Sequence, residues 1–490
     1  MKKVLFWFYV FLFTGHLFSL EGKNILRIGI PTFPVSLNPV YVTDETSQAV
    51  INKVFDSLFY FDEQGKIGNC LVEDYSYHDG GQEIMVNLKK DRFFSDGKQL
   101  TSDDVLATFD ILRNSKIKYP YQSMLSFIHM MKKIDTFRFS IRLNHKLAIW
   151  KNQLCFKILN SREIQSIDLE RFKYLVLSGT GPYKIESVRE PARIVLIRNV
   201  YNQTRALFTG IDYIVVTSTQ MEPLKLVNHE IDICELQPED VEAYGKIPEW
   251  QHHFNILKYK KFGLTYLVFN LNNSLVDRNV RRIFYNQLVK GDFVDRFIRN
   301  RGEKIKTPFL LFNRDEQPSS LPEIPLNKPI KLKILTNSES KLRKEFVLFL
   351  KQALQSKNIH LDPLFLEYQT FLGYLKKGHF DLAVSGFILD IDYDMKDVFY
   401  HDSYFNYAGF KNRRMDELLD RGLKELNPLK RRQIYQQANL IWKDQLPLIP
   451  LFNLYYHIGV SKRITIPERV CTLVGSTSDF LINIQDWKVR

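Results

Sequence analysis

The 490-residue sequence has little cysteine: four residues, at 70, 155, 234 and 471, none near another. That spacing excludes a CxxC redox pair and the paired-cysteine ligand pattern of a zinc site. The four read as small buried hydrophobes, with one or two disulfides open to them in an oxidising compartment. Catalytic motifs are also missing. There is no GxSxG elbow, no HExxH and no phosphate-binding GxxxxGK[ST] loop, so no nucleophile, metal-bound water or nucleotide site is marked out. Lys and Arg exceed Asp and Glu by 68 to 55, a net charge of +13. The excess forms no block of the kind that grips phosphates, which argues against nucleic-acid binding. Beyond the first twenty residues no apolar run is long enough to span a bilayer. Repeats and low-complexity tracts are absent as well.

At the N-terminus, Met1-Lys2-Lys3 precedes an unbroken apolar run, Val4–Phe13, followed by Thr14, Gly15 and Ser19. This is the pattern of a cleaved secretory signal peptide over residues 1–22. No cysteine lies near the cleavage region, so lipid attachment is not expected. The mature chain is expected to be exported and soluble. Aromatic residues make up 13% of the chain, with 37 Phe and 24 Tyr. Most must be core, and a minority can line a binding cleft, where flat rings give contact area at low entropic cost.

The periodicities alternate between strand and helix. Ile25–Ile30, Ile84–Leu88 and Phe137–Leu143 predict strands, as do Ile185–Arg198, Ile211–Val216, Thr265–Asn270, Ile330–Leu335 and Phe380–Ser385. Helices are predicted over 46–59, from the capping box at Thr101–Asp104, over Asp277–Leu288, Arg343–Leu354 and Met415–Leu426, and from Asn427-Pro428 to about Trp442. Strands and helices mixed without strict order point to several α/β domains. Ser178–Lys184 is glycine-rich, but Pro182 removes an amide donor and no phosphate motif is completed, so it reads as a tight turn. His252-His253 is expected in a surface strand or loop. An acidic cluster, Asp390, Asp392, Asp394 and Asp397, follows directly on a predicted buried strand, where α/β domains often place ligands. It lacks the glycine and terminal glutamate of a calcium loop.

Several blocks, in order, resemble the bacterial extracellular solute-binding proteins of family 5, the peptide- and nickel-binding receptors of ABC importers. Phe93–Val105 is similar to that family's F-x-D-G-x-x-x-T-A-x-D-V. Ser36–Pro39 with Thr43-Asp44 resembles its L-D-P … T-D, and Gly179–Lys184 its G-T-G-P-Y. Tyr266–Asn270 with Val280-Arg281 resembles Y-x-x-F-N … V-R-x-A. Asn406–Phe410 resembles N-Y-S-G-Y, and Leu446–Leu451 x-P-x-I-P-L.

The resemblance implies an α/β, two-lobed periplasmic-binding-protein fold of type II with an extra small domain and a hinge between lobes. Lobe I would comprise 24–42, 174–262 and 458–490, the small domain 43–173, and lobe II 263–457, with connectors near Gly263 and Gly459. It further implies a non-enzymatic receptor that captures oligopeptides or dipeptides in the interlobe cleft and delivers them to an inner-membrane ABC permease. The alternatives are the same fold binding a nickel chelate or other small solute and, more distantly, a secreted peptidase or scaffold. Gly386–Tyr393 resembles the family's G-W-x-x-D-Y, whose aspartate takes the peptide α-amine, with Phe387 in place of Trp and two extra residues. Asp392 is the expected anchor and Asp390 its alternative, beside Tyr393. Thr43, Asp44, Glu45 and Tyr407 are expected to line the cleft. No cofactor, metal or nucleic-acid partner is expected, and the protein is expected to be a periplasmic monomer without lipid.

Overall fold

The structure, a computed structural model, describes residues 24–489 except 63–65, 118, 166–170, 205, 219, 262, 291, 300, 310–318, 389–394, 468–472 and 475–483. The expected signal peptide, residues 1–22, and Cys471 lie outside the described residues.

One long mixed sheet runs through the molecule. Its strands lie in the order Ile359–Leu366, Ile330–Asn337, Leu382–Ile388, Gly263–Phe269, Leu448–Ser461, Ile233–Leu236, Ile25–Ile30, Gly210–Val215, Arg193–Arg198 and Tyr183–Arg189. The strand Leu448–Ser461 belongs to both halves. Its first half pairs with Gly263–Phe269 and Gly302–Lys304, its second with Phe254–Lys261 and Ile233–Leu236. The change of partner falls between Leu454 and Tyr455. Gly459, expected near a connector, instead pairs within the strand's second half, opposite Cys234 and Ile256. Two lobes follow, each with its own buried core. The first core continues into a small four-stranded sheet with the helix Ser102–Arg113. The second fills the space between the helices and strands of 264–452. This is the two-lobed α/β fold that the resemblance implies.

Local chemistry accounts for most boundaries. Thr101 and Asp104 form the expected capping box, with the Thr101 N–H donating to Asp104 Oδ2 at 2.7 Å. Asn427 accepts from Leu429 N and Lys430 N and starts the helix Pro428–Gln445. The stretch 185–198, expected as a strand, is a hairpin of Tyr183–Arg189 and Arg193–Arg198, because Pro191 cannot donate to a ladder. His252 and His253 end the short helix Pro248–His253 rather than lying in a strand or loop. The glycine-rich loop is a packing device. Gly181 N donates to Val54 O, and a Cβ on Gly179 would meet that same oxygen at 2.0 Å. Only glycine lets this loop seal the end of the helix Glu45–Val54.

The first lobe gathers chain from three distant stretches, and Asp232 ties them. Its side chain is 1% exposed. Arg27 donates from its backbone N at 2.8 Å, Nε at 3.1 Å and Nη2 at 2.9 Å. Arg463 donates from Nε at 2.6 Å and also from Nη2. The Asp232 backbone joins in, giving its N–H to Arg27 O and accepting from Ser461 N. Burial alone would raise the Asp232 pKa, but the hydrogen bonds from Arg463 and Arg27 outweigh it and hold the carboxyl below its ordinary value. Breaking such a pair leaves uncompensated charge. Asp232→Asn is expected to cost about 3–5 kcal/mol in urea unfolding. Because the folded pKa is depressed, this stabilisation is present above about pH 4 and is lost as pH falls through the folded value.

Glu222 is the opposite case. It is 2% exposed, and burial together with the nearby Glu235 charge pushes its pKa to about 8. The folded state therefore holds a proton that the unfolded state releases near pH 4.5. Its contribution to stability should fall as pH rises from about 4.5 to 8, with a slope of at most about 1.4 kcal/mol per unit. Glu222→Gln should remove that slope and be the more stable form at pH 8, measured by thermal unfolding across pH.

Candidate functional site

Parallel strands Ile330–Asn337 and Leu382–Ile388 lie side by side in the second lobe, so their carboxyl ends open one crevice. At this edge Ser340 accepts from Arg343 N and caps the helix Lys341–Leu354. The buried face of that helix carries Phe346, Val347, Leu350 and Leu354. Arg343 lies on the same stripe by helical spacing, which brings its side chain down toward the strand ends. The guanidinium reaches Gly386, where a Cβ would stand 2.6 Å from Nη2. Glycine at 386 is what admits it.

Arg343 is half-buried, yet among the described residues no carboxylate pairs with it. Its Nη1 donates to Asn337 Oδ1 at 3.0 Å. The two acids nearest in sequence are engaged elsewhere: Glu345 stands 4.0 Å from Arg301, and Glu339 accepts from Asn337 Nδ2 and Tyr368 N. Burial pulls the Arg343 pKa below the usual guanidinium value, while Tyr266 and Tyr368 act the other way. An arginine stays charged even so. Tyr266 is buried, its hydroxyl bonded to Ser385, and Tyr407 and Tyr368 lie near it. Burial raises the pKa of Tyr407, so its phenol stays neutral at physiological pH. Among the described residues the crevice thus offers a cation with N–H groups to spare, beside the neutral phenols of Tyr266 and Tyr407. That arrangement receives a carboxylate with flat side chains beside it.

The structure distributes the residues expected from sequence. Tyr407 is half-buried at this crevice, and Phe387 lies in the strand Leu382–Ile388, its backbone opposite Leu264. Asp390, Asp392 and Tyr393 lie outside the described residues. Thr43 and Glu45 are exposed at the start of the helix Glu45–Val54 in the first lobe. Asp44 is its N-cap, accepting from Ser47 N at 2.8 Å and from Ser47 Oγ. Its carboxylate is occupied by that helix end. Arg343 itself was not singled out from sequence; the available signal was a cation on the apolar stripe of an amphipathic helix. Among the described residues, Cys70, Cys155 and Cys234 form no disulfide. No helix among the described residues is long and apolar enough to cross a membrane.

Two cored lobes joined through a shared strand, with an open charged crevice at the strand ends, define a solute-binding protein. The model of the bacterial extracellular solute-binding proteins, family 5 Middle, matches residues 66–409, and the chain belongs to that family. It is 23% identical over 515 residues to the oligopeptide-binding protein AppA of Bacillus subtilis, covering 95% of this chain and 92% of that protein. The AppA structure in complex with a nonapeptide matches with a TM-score of 0.68 at 19% identity, over 95% of this chain and 99% of that one. The substrate-binding protein CtaP of Listeria monocytogenes gives 0.82 at 19%, over 95% and 99%. NikZ of Campylobacter jejuni, in complex with Ni(L-His), gives 0.72 at 18%, over 95% and 100%.

An unpaired, partly desolvated cation is a poor way to hold a fold together. Arg343→Met keeps the volume and drops the charge, so thermal unfolding should show equal or higher stability, by up to about 1 kcal/mol. A loss above about 2 kcal/mol would mark Arg343 as a structural residue.

Proposed function

We propose that this protein is the exported substrate-binding component of an ABC importer. It captures an oligopeptide or dipeptide between its lobes and hands it to an inner-membrane permease. The Arg343 guanidinium at the strand ends, without a carboxylate partner among the described residues, carries this reading, as the seat of the peptide's C-terminal carboxylate. Asp392, with Asp390 as the alternative, takes the α-amine, and Phe387, Tyr393 and Tyr407 line the cleft. The lobes comprise 24–42, 174–262 and 458–490 on one side and 263–457 on the other, with 43–173 as the small domain. They close about the two crossings at 261–263 and 454–455. Ligand touching both lobes favours the closed state by its differential affinity. The signal peptide over residues 1–22 delivers an unlipidated chain to the periplasm, where a soluble receptor needs no anchor.

The test is calorimetry with Ala-Ala-Ala, its C-terminal amide and its N-acetyl form. The free peptide should bind, and at 100 times its dissociation constant add about 2.7 kcal/mol to stability. Small-angle scattering should show the radius of gyration fall. Losing one partner of a desolvated pair costs about 2–5 kcal/mol, so amide and acetyl forms should bind roughly 30-fold to several-thousand-fold more weakly. Arg343→Met should bring free peptide and amide to equal, weak affinity. Equal binding of all three peptides by the wild type would overturn the assignment. Metal co-purifying with the protein would favour a chelate ligand, and hydrolysis without retention an enzyme.

A further inference from the structure

A second concavity, of about 740 Å³, opens between the lobes beside the crossing strands. It is large enough for a side chain and its neighbours. The first lobe gives Glu242 from the helix Pro238–Tyr244 and Lys258 from Phe254–Lys261, and the shared strand Leu448–Ser461 gives His457. The second gives Arg296, Arg299 and Arg301, at and just beyond the helix Phe293–Ile298. Four permanent cations therefore face one lining carboxylate.

Their own partners leave charge to spare. Arg296 pairs with Asp292 at 3.2 Å, on the open surface. Arg301 stands 4.0 Å from Glu345 and spends an Nη2 donor on Phe297 O. Lys258 has only the ring of Tyr455, 3.9 Å from its ammonium, and Arg299 has no ion pair among the described residues. Arg299 also holds a φ of +48°, a conformation that side-chain-bearing residues rarely adopt. His457 adds no charge, since burial and then Lys258 hold its pKa below the usual imidazole value. The floor is apolar: Phe297 and Phe349 pack with ring centroids 5.7 Å apart. The cations come from both lobes, so drawing the lobes together raises their mutual repulsion. An anion lodged between them reverses the sign of that term.

We infer that this cavity selects acidic peptides, receiving a carboxylate-bearing side chain of the ligand between Lys258 of the first lobe and Arg299 and Arg301 of the second. The inference rests on the peptide reading above and names the ligand class within it. An acidic ligand gains here twice, from direct attraction and from relief of the repulsion that opposes closure. A neutral peptide gains neither and is held by its termini alone.

The experiment titrates Ala-Glu-Ala and Ala-Gln-Ala into the full chain by calorimetry, at low and at high salt. Variants are Lys258→Gln/Arg299→Gln and, as a control at a distant exposed cation, Arg413→Gln. The wild type and the control should prefer the glutamate peptide by roughly tenfold, the sum of two partly exposed charge contacts. That preference should shrink at high salt, where such contacts are screened. In the double variant it should fall to about twofold or less with the glutamine peptide unaffected, as expected when only side-chain charge recognition is removed. Both side chains are exposed, so the fold is expected to survive, and the wild-type salt series stands independently of the variants. Equal binding of the two peptides by the wild type, or a preference that survives the double variant, overturns the charge selection and leaves the receptor reading intact. Failure of the wild type to bind either peptide overturns the receptor reading, and the selection with it.

Discussion

Asp232 is where three distant stretches of the chain are tied. One buried carboxylate receives Arg27 from the first strand and Arg463 from just past the last long one. The partners are 205 and 231 residues away in sequence, so no local propensity can bring them together. Two guanidiniums over one carboxylate leave a net positive charge, which solvent must share. Both arginines keep about a third of the side chain exposed, while the aspartate keeps almost none. The burial cost thus falls mainly on one group, and the rest of the first lobe is packed around that group's satisfaction.

The second lobe is organised differently. Its core is a contiguous stretch of chain, and its buried arginines, Arg281 and Arg431, donate to backbone carbonyls. Arg343 lies at the strand ends, and Arg299 and Arg301 line the cavity between the lobes. In the first lobe the buried Asp232 carboxylate is saturated by two arginines; in the second, Arg343 and Arg299 have no carboxylate partner among the described residues.

How legible this was depended on distance along the chain. The capping box at Thr101, the Asn427-Pro428 helix start and the alternating strands were readable because their causes lie within a few residues. The break at Pro191 was readable in principle, since proline cannot donate to a ladder, but a strand was expected across it. Asp44 has a local cause of its own: the resemblance implies a place at the cleft, and three residues on Ser47 offers the helix-start donors that its carboxylate accepts. Arg343 was hidden for the opposite reason. Helical spacing put it on the apolar stripe, but only the strand that brings Gly386 beneath it shows why a cation belongs there. Asp232 and its arginines could not be read at all, as their pairing exists only once the sheet has closed.

The strand Leu448–Ser461 has a further consequence, in the order of events during synthesis. It supplies a central strand to both lobes, yet it is encoded almost at the end of the chain. Until it emerges, Gly263–Phe269 and Ile233–Leu236 each lack a neighbour, and the two halves of the sheet are not joined. The small four-stranded sheet of 72–143 needs nothing from it, but the joined sheet does. The relative placement of the two lobes is therefore settled last, by a strand made after almost every other strand it touches.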